Sequence, residues 1–220
     1  VSVAVDAPGY VPFNPLPWSA HSLLVQYAGR DGRVLELGCS SGYVSERLAA
    51  NGNAVVGVEF DPRAAEAARA HCERVEVGDL ETMELPGAPG EYDAVVCGDI
   101  LEHLRDPRAL LARVQPLLRP GGHLVASTPN VANWSIRLRL LFGSFRYADR
   151  GLMDRTHTHF FTRATLAEAL RDTGYEVVRM DATIPSVVRA RPLRAAAHGL
   201  ALAFTGLLAH QLVAVAQPRR

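Results

Sequence analysis

Three groups of side chains in this sequence have types and spacings that can do chemistry. The first is Glu36-Leu37-Gly38-Cys39-Ser40-Ser41-Gly42, an acid followed by a turn on two glycines. Gly38 and Gly42 admit backbone conformations and a close ligand approach that a Cβ blocks. The second is Glu59, 21 residues beyond Gly38. A carboxylate at the end of the next strand can accept both hydroxyls of a ribose, so turn and acid together point to an adenosine-containing ligand. The third is Asp154-Arg155-Thr156-His157-Thr158-His159-Phe160-Phe161. Its imidazoles are suited to general-base work near neutral pH, and in an extended stretch His157 and His159 share a face. Two histidines with no nearby Cys or further His make a poor metal site, so no metal is expected. For His103 two roles stay open, contact with a substrate or a structural hydrogen bond near a helix start.

The same glycine turn admits other chemistry. Gly38-Cys39-Ser40-Ser41-Gly42 fits G-x-S-x-G, the elbow that presents the serine nucleophile of an α/β-hydrolase. That elbow follows several strands, whereas only 37 residues precede this run. No His-Gly-Gly segment precedes it either, and Glu59 would have no role. A nicotinamide-dependent oxidoreductase is disfavoured because Gly38-x-x-x-Gly42 lacks the G-x-G-x-x-G spacing. A non-catalytic module that keeps a cofactor pocket is the remaining alternative.

These residues need a scaffold, and the pattern around them supplies one. Val34–Leu37 reads as strand one, running through the glycine turn into a helix that ends near Ala50. Ala54–Glu59 is strand two, with Pro62 opening the next helix, where its missing N–H costs nothing. Arg63–His71 continues that helix, Arg74–Val77 is strand three and Tyr92–Cys97 strand four. Asp106 caps a helix through Leu118, and Pro120-Gly121-Gly122 turns into strand five, His123–Ser127. Thr162 caps a helix that Gly174 stops; Glu176–Thr183 is strand six, a helix spans about Arg194–Leu208, and Gln211–Ala216 is the last strand. This alternation predicts an α/β fold with a mostly parallel sheet and crossover helices. We read residues 1–220 as one domain with an N-terminal cover over residues 1–30. Within the cover Tyr10, Trp18 and His21 are placed to close over a site. Residues 129–161 break the rhythm as an insertion rich in Arg and aromatics, lying where open α/β sheets bind ligands. Its Trp134, Arg137 and Arg155 are candidate substrate contacts, although a solvated helix face accounts equally well for any single Arg.

Composition narrows the class of partner. The chain has 220 residues, 48% of them hydrophobic, and zero net charge, and all 23 basic residues are Arg. Residues 1–129 carry 10 Arg against 17 acids, and residues 130–163 carry 6 against 2. No run is basic enough for nucleic acid, whereas the middle segment suits an anionic acceptor. Cys39, Cys72 and Cys97 are too widely spaced for a zinc knuckle or redox pair, and their odd number argues for a reducing, cytoplasmic setting. No signal peptide is visible. The apolar stretch Ala195–Ala216 is interrupted by Gly, Thr, His and Gln, so stable membrane insertion is not expected.

The motifs taken together resemble class I S-adenosylmethionine-dependent methyltransferases. The resemblance rests on the glycine turn, Val-Gly-Val-Glu-Phe-Asp (56–61), Gly-Asp-Leu-Glu (78–81), Tyr-Asp-Ala-Val-Val-Cys-Gly-Asp-Ile-Leu-Glu-His-Leu (92–104) and Leu-Arg-Pro-Gly-Gly-His-Leu (118–124), in that order. Ser40 stands where many members carry a middle glycine. The resemblance implies a Rossmann-like seven-stranded sheet with helices on both faces and an antiparallel last strand. It implies S-adenosylmethionine as cofactor, with Glu36, Gly38, Cys39, Ser40 and Gly42 around its methionine end. Glu59 then takes the ribose diol and Phe60 flanks the adenine, while Asp79 accepts from the adenine amino group with Leu80 against the ring. Cys97, Gly98 and Asp99 line the path to the acceptor, and His157, ahead of His159, stands at the substrate opening. Phe60 and Leu80 also suit plain core positions, and Cys97 a small buried one. The expected product is a methylated O or N on a small molecule or glycan intermediate, in secondary metabolism or cell-surface sugar assembly, made by a monomer or homodimer.

Overall fold

Short runs of branched apolar residues, buried on both sides, build the centre of the molecule. The computed structural model describes residues 12–219. Strands β1 (Arg33–Leu37), β2 (Ala54–Glu59), β3 (Arg74–Val77), β4 (Tyr92–Gly98) and β5 (Leu118–Pro129) pair in parallel. Strand β7 (Gln211–Pro218) runs antiparallel to both β5 and β6 (Tyr175–Ala182), giving one seven-stranded sheet of order β3-β2-β1-β4-β5-β7-β6. Side chains along each central strand alternate between two apolar layers. Leu35, Val56, Val95 and Leu124 enter one layer, and Val34, Val55, Ala94 and Val125 the other. Burial on both faces is what near-continuous apolar runs require.

Helices cover both faces. Helices α1 (Ala20–Ala28) and α2 (Ser45–Ala50) supply Leu23, Leu24 and Leu48 to one layer. Helices α4 (Pro107–Val114) and α6 (Arg163–Asp172) supply Leu110, Leu111, Leu166 and Leu170 to the other. Helix α3 (Pro62–Ala68) lies over β2 and β3, α5 (Trp134–Leu141) follows β5 in the chain, and α7 (Arg191–Ala203) and α8 (Thr205–Leu208) pack against β6 and each other. Caps fall where side-chain chemistry puts them. Asp61 and Asp106 accept from the N–H of Arg63 and Ala109, each at 2.9 Å, and Thr162 and Thr165 form a reciprocal capping box.

The strand boundaries match the sequence pattern to within a residue or two, except in β5. There Leu118 already pairs with Tyr92, and the strand passes through Gly121 and Gly122 with a register irregularity before His123 meets Ala94. The N-terminal segment also departs from expectation. Among its described residues, 12–19 are irregular, whereas α1 is a structural layer whose Leu23, Leu24 and Ala28 are buried. Tyr10 lies outside the described residues. The suspect stretch Ala195–Ala216 divides into α7, α8 and β7, and no described helix is long and apolar enough to cross a membrane.

Candidate functional site

The sheet order reverses direction between β1 and β4, and at such a point the loops leaving the carboxyl ends part to leave a crevice. Gly38 leaves β1 with φ +72°, and its N–H donates to the Val58 carbonyl at 2.8 Å. A Cβ there would be driven into the Ile100 side chain. Gly42 has φ +84°, and its Cβ would lie 2.9 Å from Ala68 Cα on α3. The turn is therefore packed from behind, with its open side toward the crevice. Glu59 fixes it from β2: one carboxylate oxygen accepts from the Ser40 N–H at 2.8 Å and the other from the Asp61 N–H at 2.9 Å.

Two cavities meet at this turn. One, about 310 Å³, is lined by Gly38, Val58, Glu59, Phe60, Asp79, Leu80, Ile100 and Leu104. It is largely apolar with carboxylates at its rim, as a flat heteroaromatic ring bearing a ribose requires. The other, about 670 Å³, extends from Ser40, Glu59 and Asp99 past Glu102 and His103 to Asp149, Arg150, Asp154 and His157. Both volumes suit small-molecule ligands. Glu36 closes the floor nearby, beside His21, Tyr43 and Gly98. It is buried with the Ser45 hydroxyl donating to it at 2.5 Å, and burial pushes its pKa to about 8. A carboxylate so placed fits an ammonium group. Asp99, at φ +52°, is held in the left-handed region because Ser127 Oγ and Gln211 Nε2 donate to its carboxylate at 2.7 and 2.6 Å.

The far wall is brought in by backbone pairing. After β4 a short turn, Leu101–His103, is pinned to the 154–161 segment: the Glu102 carbonyl accepts from Thr158 N and His159 N at 2.8 and 3.0 Å. Thr158 Oγ1 adds a bond to the Leu104 carbonyl at 2.7 Å. His157 consequently stands over His103, ring centres 4.9 Å apart and nearly edge-on. Burial is the main cause that lowers the His157 pKa, with His103 adding to it.

Several expected contacts lie elsewhere, each for a visible reason. His159 turns away from the crevice, its Nδ1 2.8 Å from the Leu104 carbonyl, and lines a separate hollow with Arg105, Pro107 and Phe161. Trp18 stacks on His198 at 4.8 Å. Arg137 donates to the Ala132 and Gly206 carbonyls, which ties α5 to α8. Trp134 is 53% exposed on the outer face of α5, and Arg155 pairs with Asp149 at 2.5 Å on the surface. Cys97 points into the core, and Cys39 packs beneath the turn against Cys72. Phe60 remains 73% exposed at the cavity edge and Leu80 is buried in its wall. Sequence reasoning missed Glu102, Tyr43 and Gln211, of which only Glu102 lay inside a motif quoted above, whereas Arg150 belongs to the Arg-rich insertion it had weighed for an anionic acceptor. The hydrolase alternative finds no support, because among the described residues no hydrogen bond joins Ser40 to a histidine.

The comparisons agree with this geometry. A family profile described as "Methyltransferase domain" matches residues 18–180. A "Ubiquinone biosynthesis O-methyltransferase" of Acinetobacter baylyi is 31% identical over 156 residues, covering 67% of this chain and 65% of that protein. The chain thus aligns with just under two thirds of that relative's length. Among solved structures, a putative S-adenosylmethionine-dependent methyltransferase from Listeria monocytogenes superposes with TM-score 0.64 at 15% identity, covering 94% of this chain and all of that one. A Burkholderia thailandensis 1,6-didemethyltoxoflavin-N1-methyltransferase, solved with S-adenosylhomocysteine, gives TM-score 0.60 at 21% identity over 91% and 77%. With the glycine turn, the ribose-type acid and the sheet order all in place, the chain belongs to the class I S-adenosylmethionine-dependent methyltransferase family.

Proposed function

We propose that this chain transfers the methyl group of S-adenosylmethionine to an oxygen, or a nitrogen, of a small-molecule acceptor. The carrying observation is a continuous crevice, from Glu59 and Asp79 at one end to Glu102, His103 and His157 at the other, with Gly38 and Asp99 between. The cofactor supplies a methyl already activated on a sulfonium, so the chain's task is to hold two reactants in line and exclude water. Glu59 takes the ribose hydroxyls, Asp79 and Leu80 the adenine, and Glu36 the ammonium. Gly38, Ser40, Gly42, Gly98 and Asp99 supply close backbone. The acceptor lies in the larger cavity with its reacting atom toward His157, and any proton it keeps leaves at that corner as the methyl arrives. Arg150 in the cavity wall supports an anionic group on the acceptor, a glycan intermediate included.

Oxygen is the preferred atom because the curated relative is named as an O-methyltransferase. We further take residues 1–220 as one methyltransferase unit, with 129–161 as its acceptor wall, acting in a reducing, cytoplasmic setting as a monomer or homodimer. A panel of small hydroxy and amino acceptors with radiolabelled methyl donor tests the reading. His157→Ala is expected to lower turnover about 10²–10⁴-fold while sparing cofactor affinity. Turnover at the wild-type level would remove His157 from the reaction.

A further inference from the structure

The corner where His103 and His157 meet holds a third side chain that the fold leaves unsatisfied. Glu102 is only 1% exposed, and among the described residues neither of its carboxylate oxygens has a hydrogen-bond partner. Nδ1 of His157 is buried and unpartnered in the same way. Burying a carboxylate without donors is costly unless it takes up a proton or a cation. One ligand atom from each of Glu102, His103 and His157 lies within 4.8 Å of the other two. In a tetrahedral shell with bonds of about 2.0–2.2 Å, neighbouring donors stand roughly 3.3–3.6 Å apart. Side-chain adjustments of about an ångström therefore close the triangle.

We propose that Glu102, His103 and His157 hold a divalent transition-metal cation, of the Zn²⁺ or Mn²⁺ kind, with its open side facing the acceptor cavity. One carboxylate with two imidazoles is the donor set of zinc and non-haem iron sites that keep positions free for a reactant. Magnesium and calcium, which want mostly oxygen, fit it poorly. The surroundings orient the ligands as metal sites require. His103 Nδ1 lies 3.3 Å from the Thr156 carbonyl and 3.2 Å from its hydroxyl, which leaves Nε2 for the cation. Thr156 is itself fixed by donating to Asp154 at 2.7 Å. The site escapes a sequence search because the backbone pairing of Glu102 with Thr158 and His159 assembles it across more than 50 residues.

This inference rests on the cavity being the acceptor site. An acceptor hydroxyl on the open face of the cation loses its proton more readily. The proton passes to solvent at the cavity mouth, and the oxygen bonds to the methyl carbon as the carbon–sulfur bond breaks, its electron pair staying on sulfur. His157 then acts as a ligand rather than as a free base.

The test titrates chelator-treated protein with Zn²⁺ against a chromophoric chelator, and with Mn²⁺ by electron paramagnetic resonance. One site per chain is expected, weakened at least tenfold by Glu102→Gln and by His157→Ala. S-adenosylhomocysteine affinity and thermal melting of each variant control for folding, with His103→Gln as a further variant should either fail to fold. No stoichiometric binding, or binding equal in wild type and folded variants, overturns the proposal. Neither readout uses an acceptor, so cation binding without methyl transfer counts only against the acceptor reading.

Discussion

Glu36 and Glu59 both sit at strand ends beside one glycine turn, yet their surroundings give them different chemistry. Glu59 is half-buried and held by two backbone N–H groups, whereas Glu36 is sealed in with one hydroxyl for company. Burial raises the Glu36 pKa from an ordinary 4.5 to about 8. The folded chain then keeps a proton that the unfolded chain releases, so stability falls as pH rises from about 4.5 through 8. Glu36→Gln is expected to raise stability by a few kcal/mol above pH 8 and to change it little near pH 5. Denaturant unfolding at both pH values checks this, and an equal gain at both would contradict it. The same variant should bind cofactor more weakly above pH 8, where the wild-type carboxylate is ionised and offers the ammonium a counter-charge. At this scale the sequence was informative wherever a residue followed a recognisable strand, as Glu36, Glu59 and Asp99 do. It was silent on Glu102, whose importance comes from being buried without partners, a property of packing rather than of spacing.

Among the elements, the edge formed by α1, β6 and α7 depends on one buried acid. Asp181 on β6 accepts from the Tyr27 hydroxyl on α1 and lies 2.8 Å from His198 Nε2 on α7. Burial works to raise its pKa, but the donors from Tyr27 and His198 prevail and hold it below the usual range. Its contribution is therefore complete above the ordinary carboxylate pKa and is lost as pH falls through the lower folded value. Asp181→Asn is expected to cost about 2–4 kcal/mol at pH 7 and progressively less in acid. Unfolding curves at pH 7 and pH 3 measure the difference, and a cost independent of pH would refute the assignment. Arg194 reinforces the same edge from α7, donating to the carbonyls of Pro17, Pro185 and Val188. None of this was legible beforehand, since the partners come from opposite ends of the chain. The strands were legible because continuous apolar runs such as Val34–Leu37 have few alternatives. Helix α1 was not, because its buried Leu23 and Leu24 sit beside prolines and polar residues that read as a loop.

Across the whole molecule, the order β3-β2-β1-β4-β5-β7-β6 decides where ligands bind, because it opens the crevice between the β1 and β4 loops. Periodicity alone predicted a parallel sheet, and the family resemblance added seven strands with an antiparallel last one, but neither gave this order. The 129–161 insertion was correctly placed at a strand's carboxyl end. Its Arg137, Arg155 and Trp134 are nevertheless not part of the crevice lining, to which Asp149, Arg150 and Leu152 contribute instead. A helix such as α5 turns each side chain by its angular position, and the sequence did not reveal which face the sheet would cover. If the crevice is the cofactor site, S-adenosylhomocysteine at a hundred times its Kd should raise stability by about 2.7 kcal/mol.

The most direct test of the central claim is calorimetric titration of wild type and Glu59→Ala with S-adenosylmethionine, S-adenosylhomocysteine and NAD. One site for each of the first two, none for NAD, and a loss of at least tenfold in affinity in the variant is the predicted result. Binding of NAD alone, no binding at all, or affinity undiminished in Glu59→Ala would contradict the account.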